Sequence, residues 1–117
     1  MPELPEVETT IRYLKSKVKG KKIISINRSQ KKLRKNLNFK DLEQISQKKI
    51  MSVKRFAKYI IIGVENDNYV IIHLGMSGRL KFYLNENYKK EKHDHVILQF
   101  NKFKIVYNDP RRFGMFF

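Results

Sequence analysis

Cysteine is absent from the 117-residue chain. This excludes a disulfide framework, a cysteine-ligated zinc site and thiol chemistry within these residues. Long apolar runs are missing too, since no stretch approaches the roughly 18 apolar residues of a membrane span. The N-terminus carries Glu3, Glu6 and Glu8 and does not have the pattern of a secretory signal. We therefore expect a cytoplasmic protein with no membrane partner.

Acidic residues are scarce. The chain has 11 Asp and Glu against 26 Lys and Arg, which gives a formal net charge of +15 at pH 7. Such an excess favours a polyanionic partner, most often nucleic acid. A compositional bias remains the alternative, because 19 of the 26 basic residues are lysine. An anionic membrane surface fits less well, because the amphipathic N-terminal segment begins with acidic residues.

The length and composition predict one folded domain. Hydrophobic residues make up 41% of the chain and aromatic residues 12%, and a chain of this size buries roughly two-thirds of its unfolded surface. Apolar residues at alternating spacings of three and four predict a helix from about Pro5 to Lys19, with Gly20 just past its end. The apolar positions of this helix are Leu4, Val7, Ile11, Leu14 and Val18.

Short runs rich in β-branched and aromatic residues follow the helix. They are "KIISINRS", "KIMSVKRFAKYIIIGV", "YVIIHLG", "RLKFYL", "HVILQF" and "FKIVYN". Turn signals between them indicate hairpins. The predicted fold is α+β and mainly β: an antiparallel β-sandwich or flattened barrel with the N-terminal helix packed on it. A second short helix is predicted around "DLEQIS", after a basic loop.

The opening string "MPELPEVETT" places proline directly after the initiator. Removal of Met1 would leave Pro2 with a secondary α-amine, and α-amines have an ordinary pKa of about 7.7–8.0. Such an amine attacks an aldehyde-like carbon to give a cationic iminium, which is an electron sink. Glu3 could act as general acid or base, and Glu6 could orient its neighbours. Taken alone, the string also fits a simple helix start with acidic residues near the positive end of the dipole.

Two glycines bracket one methionine in "HLGMSG". Gly75 and Gly78 allow a tight turn that presents Met76 outward as a flexible apolar wedge. Such a wedge can fill the hole that an extruded nucleotide leaves in a duplex. The alternative is a core methionine beside a turn. His73 precedes this turn, and we expect it to be packed and hydrogen-bonded.

The string "DPRRFG" begins with a turn signal at Asp109 and Pro110. The turn presents Arg111, Arg112 and Phe113. An arginine can hydrogen-bond the base left unpaired by nucleotide extrusion, and an aromatic ring can stack beside it. A basic turn with a buried phenylalanine is the alternative interpretation.

Two histidines in "HDH" would share a face if this segment were a strand. His93 and His95 therefore suggest a metal site, but no third ligand is fixed by spacing, and we discount this interpretation. The run "KKLRK" from Lys31 to Lys35 is typical of a solvated loop and could add weak attraction to phosphate.

Four segments in order resemble the formamidopyrimidine-DNA glycosylase family of bacterial base-excision repair enzymes. They are "MPELPEVETT", "RFAKYIII", "HLGMSGRL", and "EKHDHV" followed by "DPRRFG". The resemblance covers the whole chain, residues 1–117, and only the N-terminal catalytic domain of the family. It implies removal of oxidised purines such as 8-oxoguanine and formamidopyrimidines from double-stranded DNA, followed by cleavage at the abasic site.

The resemblance also implies a role for each matching residue. Pro2 would attack C1′ of the damaged nucleotide, Glu3 would supply acid catalysis, and Lys58 would donate a proton during β-elimination. Met76, Arg111 and Phe113 match the residues that fill the space left by the nucleotide. The remaining matches are His93 as a DNA-backbone contact, and Glu6 and Arg112 as supporting residues.

The family continues into a helix-two-turns-helix domain and a four-cysteine zinc finger. We expect neither in residues 1–117, and therefore no cofactor, a monomer, and impaired activity for these residues alone. The bacterial family implies a cytoplasmic location on the nucleoid. Two alternatives stay open: an endonuclease VIII-type glycosylase for oxidised pyrimidines, and a noncatalytic nucleic-acid-binding β-module.

Overall fold

The computed structural model describes residues 4–28, 44–75, 78–110 and 115–116. The first element is helix α1, Leu4–Val18, which agrees with the predicted helix to within one residue at each end. Its apolar positions Val7, Leu14 and Val18 are at most 2% exposed. Gly20 ends the helix with φ +79°, a left-handed conformation that glycine adopts without strain.

The strands form two antiparallel sheets of four strands each in the described part of the chain, with orders β1-β6-β7-β5 and β2-β3-β4-β8. Their bounds are β1 Ser25–Arg28, β2 Ile50–Phe56, β3 Tyr59–Val64, β4 Asn68–His73, β5 Arg79–Leu84, β6 Asp94–Gln99, β7 Phe103–Asn108 and β8 Met115–Phe116. A 3₁₀ turn at Asn85–Asn87 follows β5. The predicted mainly β fold with two packed sheets and an N-terminal helix is confirmed.

The short helix predicted around residues 41–46 is only partly visible. Gln44 and Ile45 are helical, and residues 41–43 lie outside the described part. Ile45 is 3% exposed and joins the core. The basic run Lys31–Lys35 also lies outside the described residues.

The core contains residues from both sheets and from α1. The helix lies against β2 and β3, where Ile60 and Ile62 are at most 1% exposed. Burial of an isoleucine side chain contributes about 1.5–3 kcal/mol. The sheet opposite supplies Leu98 and Ile105, at 2% exposure each. No helix in the described residues is long and apolar enough to cross a membrane.

Strand register brings several connections to one end of the two sheets. In the second sheet Tyr59 pairs with His73, and His73 with Met115. In the first sheet Asn108 pairs with both Arg79 and Asp94. The connections at this end, which we call the loop end, are residues 57–58, 74–78, 91–93 and 109–114. Because two of them join one sheet to the other, both sheets present their loops on the same side.

Candidate active site at the loop end

Lys58 lies in the two-residue turn between β2 and β3, beside the terminal pair Phe56 and Tyr59. The run "KIMSVKRFAKYIIIGV", which the sequence presents as one β-rich stretch, is therefore two strands, because it folds back on itself at Ala57 and Lys58. Ala57 adopts φ +52°, a left-handed conformation. Lys58 therefore follows the end of β2, and its side chain is half-buried there.

Arg55 connects the Lys58 turn to α1. Its Nε forms an ion pair with the carboxylate of Glu8, and its Nη1 donates a hydrogen bond to the Ala57 carbonyl at 2.9 Å. A planar guanidinium can hold two acceptors at once in a fixed geometry. Glu8 lies about 6 Å along the helix axis from Leu4, at a rise of about 1.5 Å per residue. The start of α1 therefore lies close to the Lys58 turn.

The residues predicted to carry the chemistry lie just before α1 and in its first turn, and the structure does not describe their side chains. Pro2 and Glu3 lie outside the described residues, and the side chain of Glu6 does too. Their roles stay predictions. The structure does describe the part of α1 that follows them. There Glu8 is held by its ion pair with Arg55.

The connection 74–78 between β4 and β5 is held by backbone donors at both of its glycines. Gly75, with φ +65°, donates from N–H to His73 Nδ1 at 3.1 Å, and Gly78 N–H donates to the Leu74 carbonyl at 2.8 Å. Since a backbone N–H only donates, His73 Nδ1 is the acceptor and carries no proton. His73 is 5% exposed, so the expectation of a packed, hydrogen-bonded histidine is confirmed.

Gly78 lies too close to neighbouring atoms to carry a side chain. A Cβ at this position would lie 2.2 Å from the Leu74 carbonyl oxygen and 2.6 Å from the Tyr107 hydroxyl. Only glycine fits such a close approach of backbone to backbone. Met76, predicted as the wedge between the two glycines, lies outside the described residues.

Asp109 links the connections 91–93 and 109–114. It is fully buried, at 0% exposure. Its N–H donates to the His93 carbonyl at 3.0 Å, its carbonyl accepts from His95 Nε2 at 2.8 Å, and its Oδ2 accepts from the Tyr107 hydroxyl at 2.9 Å. The predicted turn residues that follow Pro110, namely Arg111, Arg112 and Phe113, lie outside the described residues.

The two histidines of "HDH" lie in different environments. His93 is in the turn before β6 and half-buried, whereas His95 lies in the strand at 1% exposure. The same-face geometry that suggested a metal site is therefore wrong, because β6 begins only at Asp94. Within the described ranges, no group of three or more histidine, aspartate or glutamate side chains could hold a metal ion.

The buried Asp94 side chain holds the connection 91–93 through hydrogen bonds. Its Oδ2 accepts hydrogen bonds from the Glu91 N–H and the Tyr88 hydroxyl, both at 2.8 Å. Its Oδ1 accepts from Asn108 Nδ2 at 2.8 Å. Burial raises the pKa of the Tyr88 phenol above its ordinary value, and the hydrogen bond to Asp94 and its negative charge raise it further. Tyr88 is therefore a neutral donor to a buried carboxylate.

Exposed basic side chains surround the loop end. Arg79 lies at the start of β5, Lys92 lies in the turn before β6, and Lys54 and Arg28 lie near the ends of β2 and β1. Among the described residues, the exposed acidic Glu8 and Glu91 at this end are paired with Arg55 and Lys81. A rim of cations around a set of loops can contact the phosphates of a nucleic acid.

Sequence reasoning did not find five residues that shape this end: Glu8, Arg55, Asp94, His95 and Tyr107. Glu8 and Arg55 are 47 positions apart, so no local pattern could join them. "HDH" is the one local signal for His95 and Asp94, and it suggests only a metal site, which the missing third ligand discounts. Tyr107 reads as an ordinary strand aromatic.

A family model of the formamidopyrimidine-DNA glycosylase N-terminal domain matches residues 1–116. The chain belongs to this family. Formamidopyrimidine-DNA glycosylase of Rickettsia bellii (strain OSU 85-389) is 45% identical over 118 residues, covering 100% of this chain and 43% of the relative. The enzyme of Wolbachia pipientis is 43% identical over 117 residues, covering 98% of this chain and 42% of the relative.

Solved structures of the Lactococcus lactis glycosylase are similar in fold. Its complex with DNA containing an abasic site superposes with a TM-score of 0.90 at 34% identity, covering 98% of this chain and 43% of that one. A complex with FAPY-dG-containing DNA gives 0.89 at 34% identity, covering 97% of this chain and 43% of that one. The chain thus spans less than half the length of these formamidopyrimidine-DNA glycosylases.

Proposed function

We propose that these residues form the catalytic domain of a bifunctional DNA glycosylase and abasic-site lyase. The observation that carries this proposal is the convergence at the loop end. The start of α1, the Lys58 turn, and the described ends of the connections 74–78 and 109–114 lie at the same end of both sheets. The residues matching the family's nucleophile, proton donor and duplex contacts lie in these segments or next to them in sequence. The DNA complexes of the L. lactis enzyme support DNA as the partner.

The proposed chemistry starts at Pro2. Its secondary amine forms a bond to C1′ of the damaged nucleotide while the glycosidic bond breaks and the base leaves with a proton. Glu3 protonates the sugar oxygen and thereby opens the ring to an iminium. The Glu3 carboxylate then removes a proton from C2′, the iminium takes up the electron pair, and the C3′–O bond breaks while Lys58 donates a proton to the departing 3′ phosphate. Only amine and carboxyl groups take part, so we propose that no cofactor is needed in this domain.

The proposed substrate is an oxidised purine, such as 8-oxoguanine or a formamidopyrimidine, extruded from double-stranded DNA. Met76, Arg111 and Phe113 would occupy the space that the nucleotide leaves. His93 would contact the DNA backbone, and Glu6 and Arg112 would support the site. We further propose that the protein acts as a monomer on the bacterial nucleoid.

Residues 1–117 alone should bind duplex DNA weakly. Each phosphate that a protein neutralises contributes a salt-dependent increment of affinity, and relatives extend over more than twice this length. We therefore propose that excision of a damaged base is slow in these residues alone. Cleavage at a preformed abasic site should persist better, because it needs no base recognition.

Borohydride trapping on an abasic-site duplex tests the proposal. Wild-type chain with Met1 removed, as verified by mass spectrometry, should form a covalent adduct that peptide mapping places on Pro2. Pro2→Gly leaves a primary α-amine, which can still form an imine, so its adduct should form more slowly than that of wild type. Pro5→Ala is the matched control, because it changes the second proline of the same string without touching the terminal amine, and it should trap like wild type. A wild-type adduct that maps to a lysine and not to Pro2 would assign the chemistry to another amine.

A noncatalytic nucleic-acid-binding module is the second candidate, favoured by the net charge of +15. It predicts salt-dependent binding of intact and abasic DNA alike, with no adduct. The same trapping experiment therefore separates the two functions.

A further inference from the structure

Tyr107 lies where two connections of the loop end meet. Its side chain is buried, at 1% exposure. Its hydroxyl is 2.9 Å from Asp109 Oδ2 and 3.4 Å from the His73 carbonyl oxygen. His73 leads into the connection 74–78, and Asp109 begins the connection 109–114. One phenol hydroxyl therefore contacts the chain at the base of both.

The connection 74–78 is built around this hydroxyl. Gly78 lies so close that a Cβ there would be 2.6 Å from the Tyr107 oxygen. The same glycine donates its N–H to the Leu74 carbonyl at 2.8 Å, and Gly75 donates its N–H to His73 Nδ1 at 3.1 Å. A shift of the Tyr107 hydroxyl would therefore change the packing at both ends of this connection.

The connection 109–114 is anchored through Asp109. The backbone of Asp109 is held by the His93 carbonyl at 3.0 Å and by His95 Nε2 at 2.8 Å. The Asp109 carboxylate accepts a hydrogen bond from the Tyr107 hydroxyl. Such a charge-assisted hydrogen bond is stronger than one between neutral groups. The Tyr107 hydroxyl therefore joins Asp109 to Gly78 and the His73 carbonyl.

We infer that Tyr107 is a positioning residue that holds Gly78, the last residue of the connection 74–78, and Asp109, the first residue of the connection 109–114, in a fixed relation, so that the two connections act on a DNA duplex together. The inference rests on the proposed function. In that proposal the groups that fill the space of an extruded nucleotide come from two chain segments, and their relative position decides whether both fit the stack. A Tyr107 hydroxyl that served stability alone would affect every substrate equally.

The test compares borohydride-trapping rates on duplex and on single-stranded abasic DNA. A single strand has no stack to open, so it requires the nucleophile but not the two connections. For Tyr107→Phe, which keeps the ring and removes the hydroxyl, the duplex rate should fall about tenfold and the single-strand rate should stay within about twofold. Tyr83→Phe removes a hydroxyl from a half-buried tyrosine of β5 and is the matched control, with the wild-type rate ratio.

The duplex to single-strand ratio does not depend on the folded fraction, because unfolded molecules contribute to neither rate. A second pair of variants changes Asp109, which accepts the hydrogen bond from the Tyr107 hydroxyl. Asp109→Asn keeps an oxygen that can accept the Tyr107 proton and should preserve most of the ratio, whereas Asp109→Ala should lower it as Tyr107→Phe does.

Three outcomes are decisive. A selective loss on duplex DNA in Tyr107→Phe and Asp109→Ala supports the inference. An equal loss on both substrates, or no loss on either, overturns it and leaves the proposed function intact provided that wild type traps. Absence of trapping by wild type on both substrates overturns the proposed function itself, and the inference with it.

Discussion

Glu8 on α1 forms an ion pair with Arg55 on β2, and the same guanidinium donates to the Ala57 carbonyl beside Lys58 at 2.9 Å. The side chains of Arg55 and Glu8 are 36% and 48% exposed. An ion pair this exposed contributes only about 0.2–1 kcal/mol to stability. Its consequence is geometric, because it sets the Lys58 turn against the helix that begins next to the proposed nucleophile.

Arg55→Lys tests this geometric role. A lysine ammonium cannot hold the Glu8 carboxylate and the Ala57 carbonyl in one planar fork. We expect the free energy of unfolding to change by less than about 1 kcal/mol. β-Elimination should slow about fivefold, while borohydride trapping stays within about twofold. Single-turnover strand cleavage and urea unfolding measure these quantities.

The matched control for Arg55→Lys is Arg12→Lys, which makes the same exchange at an exposed position of α1. It should leave both rates unchanged. If Arg55→Lys slows trapping and elimination by the same factor, Arg55 does not act through the Lys58 turn.

The sequence predicts α1 well for a physical reason. Its apolar residues recur with the helical period, and Gly20 supplies the left-handed residue that ends it. The turn at Ala57 and Lys58 carries no such signal, because "RFAKYI" contains no glycine, asparagine or proline. Pairing of Phe56 with Tyr59 holds Ala57 at φ +52°, which costs roughly 1–2 kcal/mol. Tertiary pairing overrides local preference at that turn.

The site is predictable only where local geometry demands a residue type. Gly75 and Gly78 mark the connection 74–78, and His73 fits its expected environment. In contrast, residues 105–109 are all buried, so no alternation separates Tyr107 and Asp109 from ordinary core positions. Their hydrogen bonds, like the pairing of Glu8 with Arg55, exist only once both sheets have formed.

Asp94→Asn should destabilise the protein although it conserves volume. Both carboxylate oxygens of Asp94 accept from donors, namely the Tyr88 hydroxyl and Glu91 N–H at Oδ2 and Asn108 Nδ2 at Oδ1. An amide NH₂ group in either position would meet a donor. We expect a loss of about 1–3 kcal/mol in the free energy of unfolding, measured by urea denaturation. Asp67→Asn, at an exposed turn, is the control and should be nearly neutral.

Gly78→Ala should be more harmful than Gly63→Ala. At Gly78 the new Cβ meets the Leu74 carbonyl oxygen at 2.2 Å, a backbone atom that cannot rotate away. At Gly63 it meets Ser52 Oγ at 2.5 Å, and that side chain can change rotamer. We expect a loss of about 2–3 kcal/mol for Gly78→Ala and less than about 1 kcal/mol for Gly63→Ala. Equal midpoints in urea would show that the connection 74–78 adapts to a side chain.

Tyr88 should make stability depend on pH in the alkaline range. Its pKa is raised in the folded protein by burial and by Asp94, whereas a tyrosine in the unfolded chain ionises at about pH 10. The unfolded state therefore loses this proton first, and the stabilising contribution is complete below about pH 10 and declines as the pH rises further. Tyr88→Phe removes it.

The difference in unfolding free energy between wild type and Tyr88→Phe should accordingly be constant from about pH 7 to pH 9 and shrink above about pH 10. Urea denaturation across this range measures it, and the neutral values serve as the internal control for the lost hydrogen bond to Asp94. A difference that stays constant up to about pH 11 would mean that the Tyr88 phenol ionises equally in both states. The bond to Asp94 would then not keep the phenol protonated, and the connection 91–93 would have to be held by the Glu91 N–H and Asn108 alone.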